Sequence, residues 1–173
     1  MKSVYLDNNA TTRVAPEVID AMMPYFTLLY GNPSSMHSFG GRTGNEVEAA
    51  REQVATLLNA EPGEIVFTGG GSESDNLAIR GALDALSARG DERRHLVTTT
   101  VEHPAVRETM RHLRDRQGYK LTELGVDSQG ALDLAALDAA LAEGDVALVS
   151  VMWANNETGV IFPIAEAARR VKA

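Results

Sequence analysis

A glycine-rich segment that ends in a hydroxyl side chain, Gly69-Gly70-Gly71-Ser72, has the residue types of an anion-binding turn. It follows a stretch with strand preference, residues 65–68, and precedes a segment whose apolar residues have helical spacing. Successive glycines let the backbone approach a ligand closely, and the first N–H groups of a helix have no intrahelical partner. This pattern favours a phosphate-bearing ligand. The alternative is a tight turn in which Ser72 only caps the helix.

Two further polar segments, Glu102-His103-Pro104 and residues 154–159, directly follow predicted strands. The imidazole of His103 can stack on a flat cofactor and can move protons near neutral pH. An asparagine amide in the second segment can hydrogen-bond a ring hydroxyl. Because ligands of parallel α/β sheets collect beyond the carboxyl ends of the strands, we expect both segments to share one rim with the glycine turn. The alternative for each segment is ordinary loop and turn chemistry.

The alternation of helical and strand patterns predicts an α/β fold, a mainly parallel sheet with helices on both faces. The predicted elements are a helix from Ala15-Pro16 to before Gly31, a helix through residues 47–58, a strand at 65–68, a helix to about Arg89, a strand at 96–101, a helix opened by Pro104, a strand at 119–124, a helix at 134–141, a strand at 146–152 and a helix from near Pro163. Since residues 146–152 are almost continuously apolar, we predict a central strand covered on both faces.

Composition and charge disfavour several classes of protein. The net charge of -8 over 173 residues argues against nucleic acid or an anionic membrane as the main partner. We expect a cytoplasmic protein, because no apolar run is long enough to span a bilayer and the first residues are too polar for a signal peptide. The sequence contains no cysteine, so it offers no disulfide and no cysteine nucleophile. The four histidines lack paired ligand spacing, so no metal site is expected.

Five segments in order resemble the amino-terminal part of the cysteine desulfurases, which are pyridoxal-phosphate enzymes of the class V aminotransferase group. The segments are residues 5–12, residues 31–40, residues 69–76, Glu102-His103 and residues 155–159. The similarity covers essentially the whole chain and is greatest to the NifS-like branch, which is associated with nitrogen fixation. It implies the first part of the large domain of a fold-type I enzyme over residues 1–173. Residues 1–15 would form an N-terminal arm, and the rest of the large domain and the small domain would be absent.

The resemblance also implies roles for four residues. Gly71 and Ser72 match the positions that bind the phosphate of pyridoxal 5'-phosphate, although the family more often has threonine in place of Ser72. His103 matches the histidine that stacks over the pyridine ring and assists proton transfer, and it is the catalytic residue that the resemblance implies. Asn156 matches the asparagine that hydrogen-bonds the 3'-oxygen of the ring.

The activity implied by the resemblance is conversion of L-cysteine to L-alanine, with the sulfur passed as a persulfide to an iron-sulfur scaffold protein by a homodimeric enzyme. Such an enzyme needs a Schiff-base lysine and a catalytic cysteine. Neither is found here, since Lys2, Lys120 and Lys172 lie outside the family's Ser-x-His-Lys context. We therefore expect a truncated chain that is inactive alone, binds the cofactor weakly and noncovalently, and is oligomeric or poorly soluble in isolation.

Two alternative functions stay open on the sequence. One is a related class V enzyme, such as a selenocysteine lyase or an aminotransferase, which the sequence of the persulfide loop would distinguish. The other is a non-catalytic remnant that binds a partner subunit, which a lack of cofactor binding would favour. A dinucleotide-binding fold is disfavoured, because no Gly-x-Gly-x-x-Gly motif opens a helix.

Overall fold

The computed structural model describes residues 3–172, so part of the predicted N-terminal arm, Met1 and Lys2, lies outside the described residues. The chain divides into two compact units, Met1–Phe67 and Thr68–Ala173. Within residues 3–172, no helix is both long and apolar enough to cross a membrane.

The first unit is helical. Helix α1 (Pro16–Thr27) begins with a proline, whose fixed φ and missing N–H suit the first helical position. Helix α2 (Ser38–Leu58) is capped by His37, whose Nδ1 accepts a hydrogen bond from the backbone N–H of Gly40. A β-carbon on Gly40 would lie 2.4 Å from the carbonyl oxygen of Asn32, so this close approach of two backbones requires glycine. A short 3-10 helix, Pro62–Glu64, follows α2.

The prediction of a strand at residues 65–68 is wrong, because these residues belong to no strand in the structure. Ile65 does have an extended backbone, with φ -93° and ψ 124°. A strand also needs a hydrogen-bonding neighbour, and none is present for this segment among the described residues. The side chains of Val66 and Phe67 are accordingly 65% and 49% exposed.

The second unit is an α/β layer structure, which confirms the predicted fold class. Its three strands are parallel and lie in the order β2-β1-β3. The strands are β1 (His95–Thr99), β2 (Lys120–Leu124) and β3 (Val146–Val149). The helices are α3 (Gly71–Ala88), α4 (Pro104–Gln117), α5 (Leu134–Leu141) and α6 (Ile164–Lys172). The helices predicted for this unit are confirmed, and the bounds of α5 agree with the prediction.

Helices cover both faces of the sheet. Successive side chains of β1 point to opposite faces, and the side chains on each face pack against helices. Leu96 packs with residues of α3 and α4, among them Leu83 and Met110. Val97 packs on the other face with residues of α5 and α6, among them Leu137. Since β1 is buried along its whole length, it is the central strand of this unit.

The strand predicted at residues 146–152 is present and covered on both faces, because Val149 packs in one apolar cluster and Leu148 in the other, but it is shorter than predicted and is not central among the described strands. In the structure β3 ends at Val149, is half-buried, and lies at the edge of the three-stranded sheet. Its register with β1 shifts by one residue between His95 and Leu96, and the backbone N–H of Ser150 donates to the carbonyl of Val97 just beyond the strand. Two residues later, the N–H of Met152 donates to the carboxylate of Glu102 instead of to a strand. Apolar character therefore predicted the strand and its cover on both faces, but not where its pairing ends.

Candidate functional site

The amino-terminal end of α3 is open to an anion. Gly70 is the residue before the helix, and the first helical bond runs from the N–H of Ser74 to the carbonyl of Gly70. The preceding N–H groups of Gly71, Ser72 and Glu73 have no partner within the helix. A β-carbon on Gly70 or Gly71 would meet no atom within 4 Å, so a ligand has room beside the backbone. Ser72 lies inside the first turn and is not the cap residue.

Side chains of the first helical turns hold the glycine turn in place. The N–H of Gly69 donates to Glu73 Oε2 over 2.7 Å, and the hydroxyls of Thr68 and Ser74 lie 2.6 Å apart. The amide of Asn76 donates to the carbonyl of Ser72 over 2.9 Å. These bonds fix the backbone that presents the free N–H groups at the start of α3.

His103 caps helix α4 with one of its two ring nitrogens. Its Nδ1 accepts a hydrogen bond from the backbone N–H of Ala105 over 3.1 Å, and Pro104 occupies the first helical position. With Nδ1 as the acceptor, the neutral ring carries its proton on Nε2. The ring is exposed. His103 therefore presents Nε2 and a free ring face outward from a fixed backbone position.

The two asparagines after β3 have different environments. Asn155 is 7% exposed, and its Oδ1 accepts hydrogen bonds from the N–H of Glu157 and from the N–H and hydroxyl of Thr158. Its Nδ2 donates to the carbonyl of Val101 over 3.1 Å. Asn156 is exposed, with its Nδ2 3.1 Å from Glu157 Oε1. Asn155 thus shapes the turn, whereas the amide of Asn156 is accessible to a ligand.

Glu102 is a buried carboxylate between β1 and β3. It is 5% exposed, and its Oε1 accepts a hydrogen bond from the N–H of Met152 over 2.6 Å. Burial raises the pKa of Glu102, and the nearby carboxylate of Asp75 raises it further, against the lowering effect of the Met152 N–H. We assigned no role to Glu102 or Asn155 from the sequence. The only sign of their importance in the sequence is their position, since Glu102 precedes His103 and Asn155 precedes Asn156.

The structure brings the loops that follow β1 and β3 together at the carboxyl ends of these two strands. These strands are parallel neighbours, and their loops carry His103 and Asn156. The start of α3 is joined to the start of α4 by a hydrogen bond from the Thr109 hydroxyl to Asn76. Within residues 3–172, no hydrogen bond directly joins any two of Ser72, His103 and Asn156. Other residues of the same helices and loops provide the links.

Comparison with known proteins assigns this chain to a family. The profile of the family described as aminotransferase class-V matches residues 4–173. The chain belongs to the class-V aminotransferase family. Its members are pyridoxal-phosphate-dependent. This confirms the family resemblance drawn from the five sequence segments.

Individual relatives share more than half of their matched residues with this chain. A cysteine desulfurase of Nostoc sp. (strain PCC 7120 / SAG 25.82 / UTEX 2576) is 57% identical over 172 residues, which are 99% of this chain and 42% of the relative. The cysteine desulfurase NifS of Azotobacter vinelandii is 53% identical over 98% of this chain and 41% of its own length. The chain thus spans about two-fifths of the curated relatives that it matches.

The fold agrees with a solved structure described as a NifS-like protein. The TM-score is 0.88 at 41% sequence identity, over 95% of this chain and 44% of that chain. The agreement shows that the parallel sheet and flanking helices are those of the cysteine desulfurase fold.

Proposed function

We propose that this chain is the part of a pyridoxal-phosphate-dependent cysteine desulfurase that holds the cofactor phosphate and one face of its ring. The observation that carries the proposal is the open N-terminus of α3 at Gly71. The first turns of α3 are joined to the helix that His103 caps by the Thr109–Asn76 hydrogen bond, and the loop of His103 is joined to the loop of Asn156 by the Met152–Glu102 bond. The relatives are named cysteine desulfurases, which supports the activity that the sequence resemblance implies for the whole enzyme, conversion of L-cysteine to L-alanine.

The residues present fit the cofactor's chemistry. The free N–H groups of Gly71 and Ser72, the Ser72 hydroxyl and the positive end of the helix dipole would hold a phosphate dianion. The His103 ring would stack on the pyridine ring, with Nε2 as the atom that gives or takes a proton. The Asn156 amide would donate to the 3'-oxygen and orient the ring. When bound, the cofactor supplies an electron sink for reactions at the substrate.

The proposal extends to the architecture and partners of the whole enzyme. Residues 1–173 would form the amino-terminal part of the large domain, with residues 1–15 as an arm. The enzyme would work as a cytoplasmic homodimer and pass sulfur as a persulfide to an iron-sulfur scaffold protein. The relatives extend well beyond the length matched here, and a lysine and a cysteine with the required roles would be supplied from such sequence.

Cofactor binding can be tested on the 173-residue chain by NMR. We would titrate pyridoxal 5'-phosphate, pyridoxal and inorganic phosphate, and follow the backbone amide signals of Gly71 and Ser72. Both phosphate compounds should shift these signals, whereas pyridoxal should not. Ser72→Ala should weaken phosphate binding about tenfold, because it removes one hydrogen bond to a charged group.

The matched control is Ser87→Ala, which removes an exposed hydroxyl near the carboxyl-terminal end of α3, the opposite end of that helix from the glycine turn. This variant should bind as the unchanged chain does. Pyridoxal binding that equals pyridoxal 5'-phosphate binding, or phosphate-induced shifts that spare Gly71 and Ser72, would contradict the proposal.

A further inference from the structure

Two hydrogen bonds cross between the loops after β1 and β3, and in both of them the β3 loop supplies the donor and the β1 loop the acceptor. The N–H of Met152, in the β3 loop, donates to the side chain of Glu102 in the β1 loop. The side-chain amide of Asn155, in the β3 loop, donates to the carbonyl of Val101 in the β1 loop. Each loop therefore supplies one side chain and one backbone group. We call Glu102, Asn155 and these two bonds the loop clamp.

Both clamp side chains are committed to the protein framework. The exposed fractions of Glu102 and Asn155 are 5% and 7%. The Asn155 oxygen accepts three hydrogen bonds from its own turn, and its amide also lies 3.5 Å from Met152 Sδ. Burying the carboxylate of Glu102 costs free energy. An apolar residue at this position would avoid that cost, but it would leave the Met152 N–H without this acceptor. The clamp side chains thus have little capacity left for a ligand.

The clamp residues are direct sequence neighbours of the two ring-site residues. His103 follows Glu102, and Asn156 follows Asn155. His103 is also fixed on its other side, because it caps α4 through Ala105. Any change in the separation of Glu102 and Asn155 therefore moves the backbones of His103 and Asn156 relative to each other.

We propose that Glu102 and Asn155 are positioning residues that set the separation of His103 and Asn156, and so the fit of a planar ring between them. The inference rests on the proposed function. It assigns the two asparagines of the turn separate roles, Asn155 in the framework and Asn156 toward the ligand. It also distinguishes the ring site from the phosphate site, since among the described residues the clamp makes no hydrogen bond to Gly71 or Ser72.

The clamp itself is tested without any cofactor, by hydrogen exchange and ring NMR on the 173-residue chain. Glu102→Ala removes the acceptor, so the Met152 N–H should exchange about tenfold faster, and the His103 ring and Asn156 amide signals should shift. Glu102→Gln keeps an oxygen at the same reach and should restore both. Glu92→Gln, at an exposed site, is the control for loss of a carboxylate.

The positioning role is tested by comparing two ligands in the same variants. In Glu102→Ala the dissociation constant of pyridoxal 5'-phosphate should rise about tenfold while that of inorganic phosphate stays unchanged. A residue that only stabilises the fold would change both constants together or neither. Should Glu102→Ala fail to fold, Asn155→Asp provides the second variant, because it keeps the Oδ1 acceptor and removes the donor to Val101.

Several outcomes would overturn the inference. Unchanged exchange of the Met152 N–H in Glu102→Ala would show that the clamp does not hold the loops. Faster exchange with an unchanged ratio of the two dissociation constants would show that it does not position the ring site. A wild-type chain that binds phosphate and pyridoxal 5'-phosphate equally would contradict the proposed function instead, and the His103 and Asn156 signals would then decide whether the clamp positions these residues.

Discussion

The hydroxyl of Thr109 donates to Asn76 Oδ1 over 3.0 Å, and this bond ties the first turns of α4 to the first turns of α3. The same hydroxyl lies 2.7 Å from the carbonyl of Ala105 in its own helix. Asn76 in turn donates to the carbonyl of Ser72. A short chain of hydrogen bonds thus runs from the proposed phosphate site to the helix that His103 caps.

Replacing Thr109 with valine should lower the stability of the second unit. Thr109→Val keeps the shape of the side chain and removes the hydroxyl, so Asn76 Oδ1 loses a buried donor. We expect the free energy of unfolding to fall by about 1 kcal/mol, measured by urea denaturation. Thr109→Ser keeps the donor and is the control for the hydroxyl. A valine variant as stable as the unchanged chain would show that the bond contributes nothing.

Removing the side chain of Leu96 should be far more damaging. Leu96 is fully buried in β1 and packs with residues of α3 and α4. Leu96→Ala deletes three buried carbon atoms and leaves a cavity, at a cost of about 2–5 kcal/mol in the free energy of unfolding. Leu77→Ala, at a position on α3 that is 50% exposed, is the matched control and should cost much less. Equal losses at the two positions would contradict the described core.

The helices of the second unit could be predicted from sequence because their signals are local. Pro104 sets the start of α4, and Gly118, with φ 72°, follows its end in the left-handed conformation. Whether residues 65–68 form a strand could not be predicted from local signals, because their apolar pattern does not show whether a second strand lies beside them to pair with. The same reason explains why the apolar run at residues 146–152 predicted a longer strand than β3, since the end of β3 depends on its pairing with β1.

The candidate site shows a similar division. The glycine turn and His103 stood out because their residue types carry a chemical meaning wherever they occur. Glu102 and Asn155 did not, since their importance lies in burial and in hydrogen bonds to residues 50 and 54 positions away along the chain. A glutamate beside a histidine gives no sequence sign that it is buried. The roles of Gly71, Ser72, His103 and Asn156 stay predictions until ligand binding is measured.

The buried carboxylate of Glu102 should make stability depend on pH in an unusual direction. Burial raises its pKa in the folded state, so the folded chain binds a proton more readily than the unfolded chain does. Its contribution to stability is therefore greatest at low pH and is lost as pH rises from about 4.3, where free glutamate titrates, through the folded pKa.

Glu102→Gln removes this titration and provides the comparison. Urea unfolding of both chains over a series of pH values should show the glutamine variant gaining stability relative to the unchanged chain as pH rises. Parallel curves would mean that Glu102 has the same pKa in the folded and unfolded states.

The capping role of His103 can be separated from its proposed role at the ring. His103 accepts the Ala105 N–H at the start of α4, so His103→Ala should lower the free energy of unfolding by about 1 kcal/mol. Asparagine is a good cap residue, so His103→Asn should retain most of that stability. It removes the aromatic face and the titratable Nε2, however, and we expect it to weaken binding of pyridoxal 5'-phosphate while binding of inorganic phosphate is kept. NMR titrations of the two variants with both ligands measure this. If His103→Asn bound both ligands as the unchanged chain does, His103 would be a helix cap and nothing more.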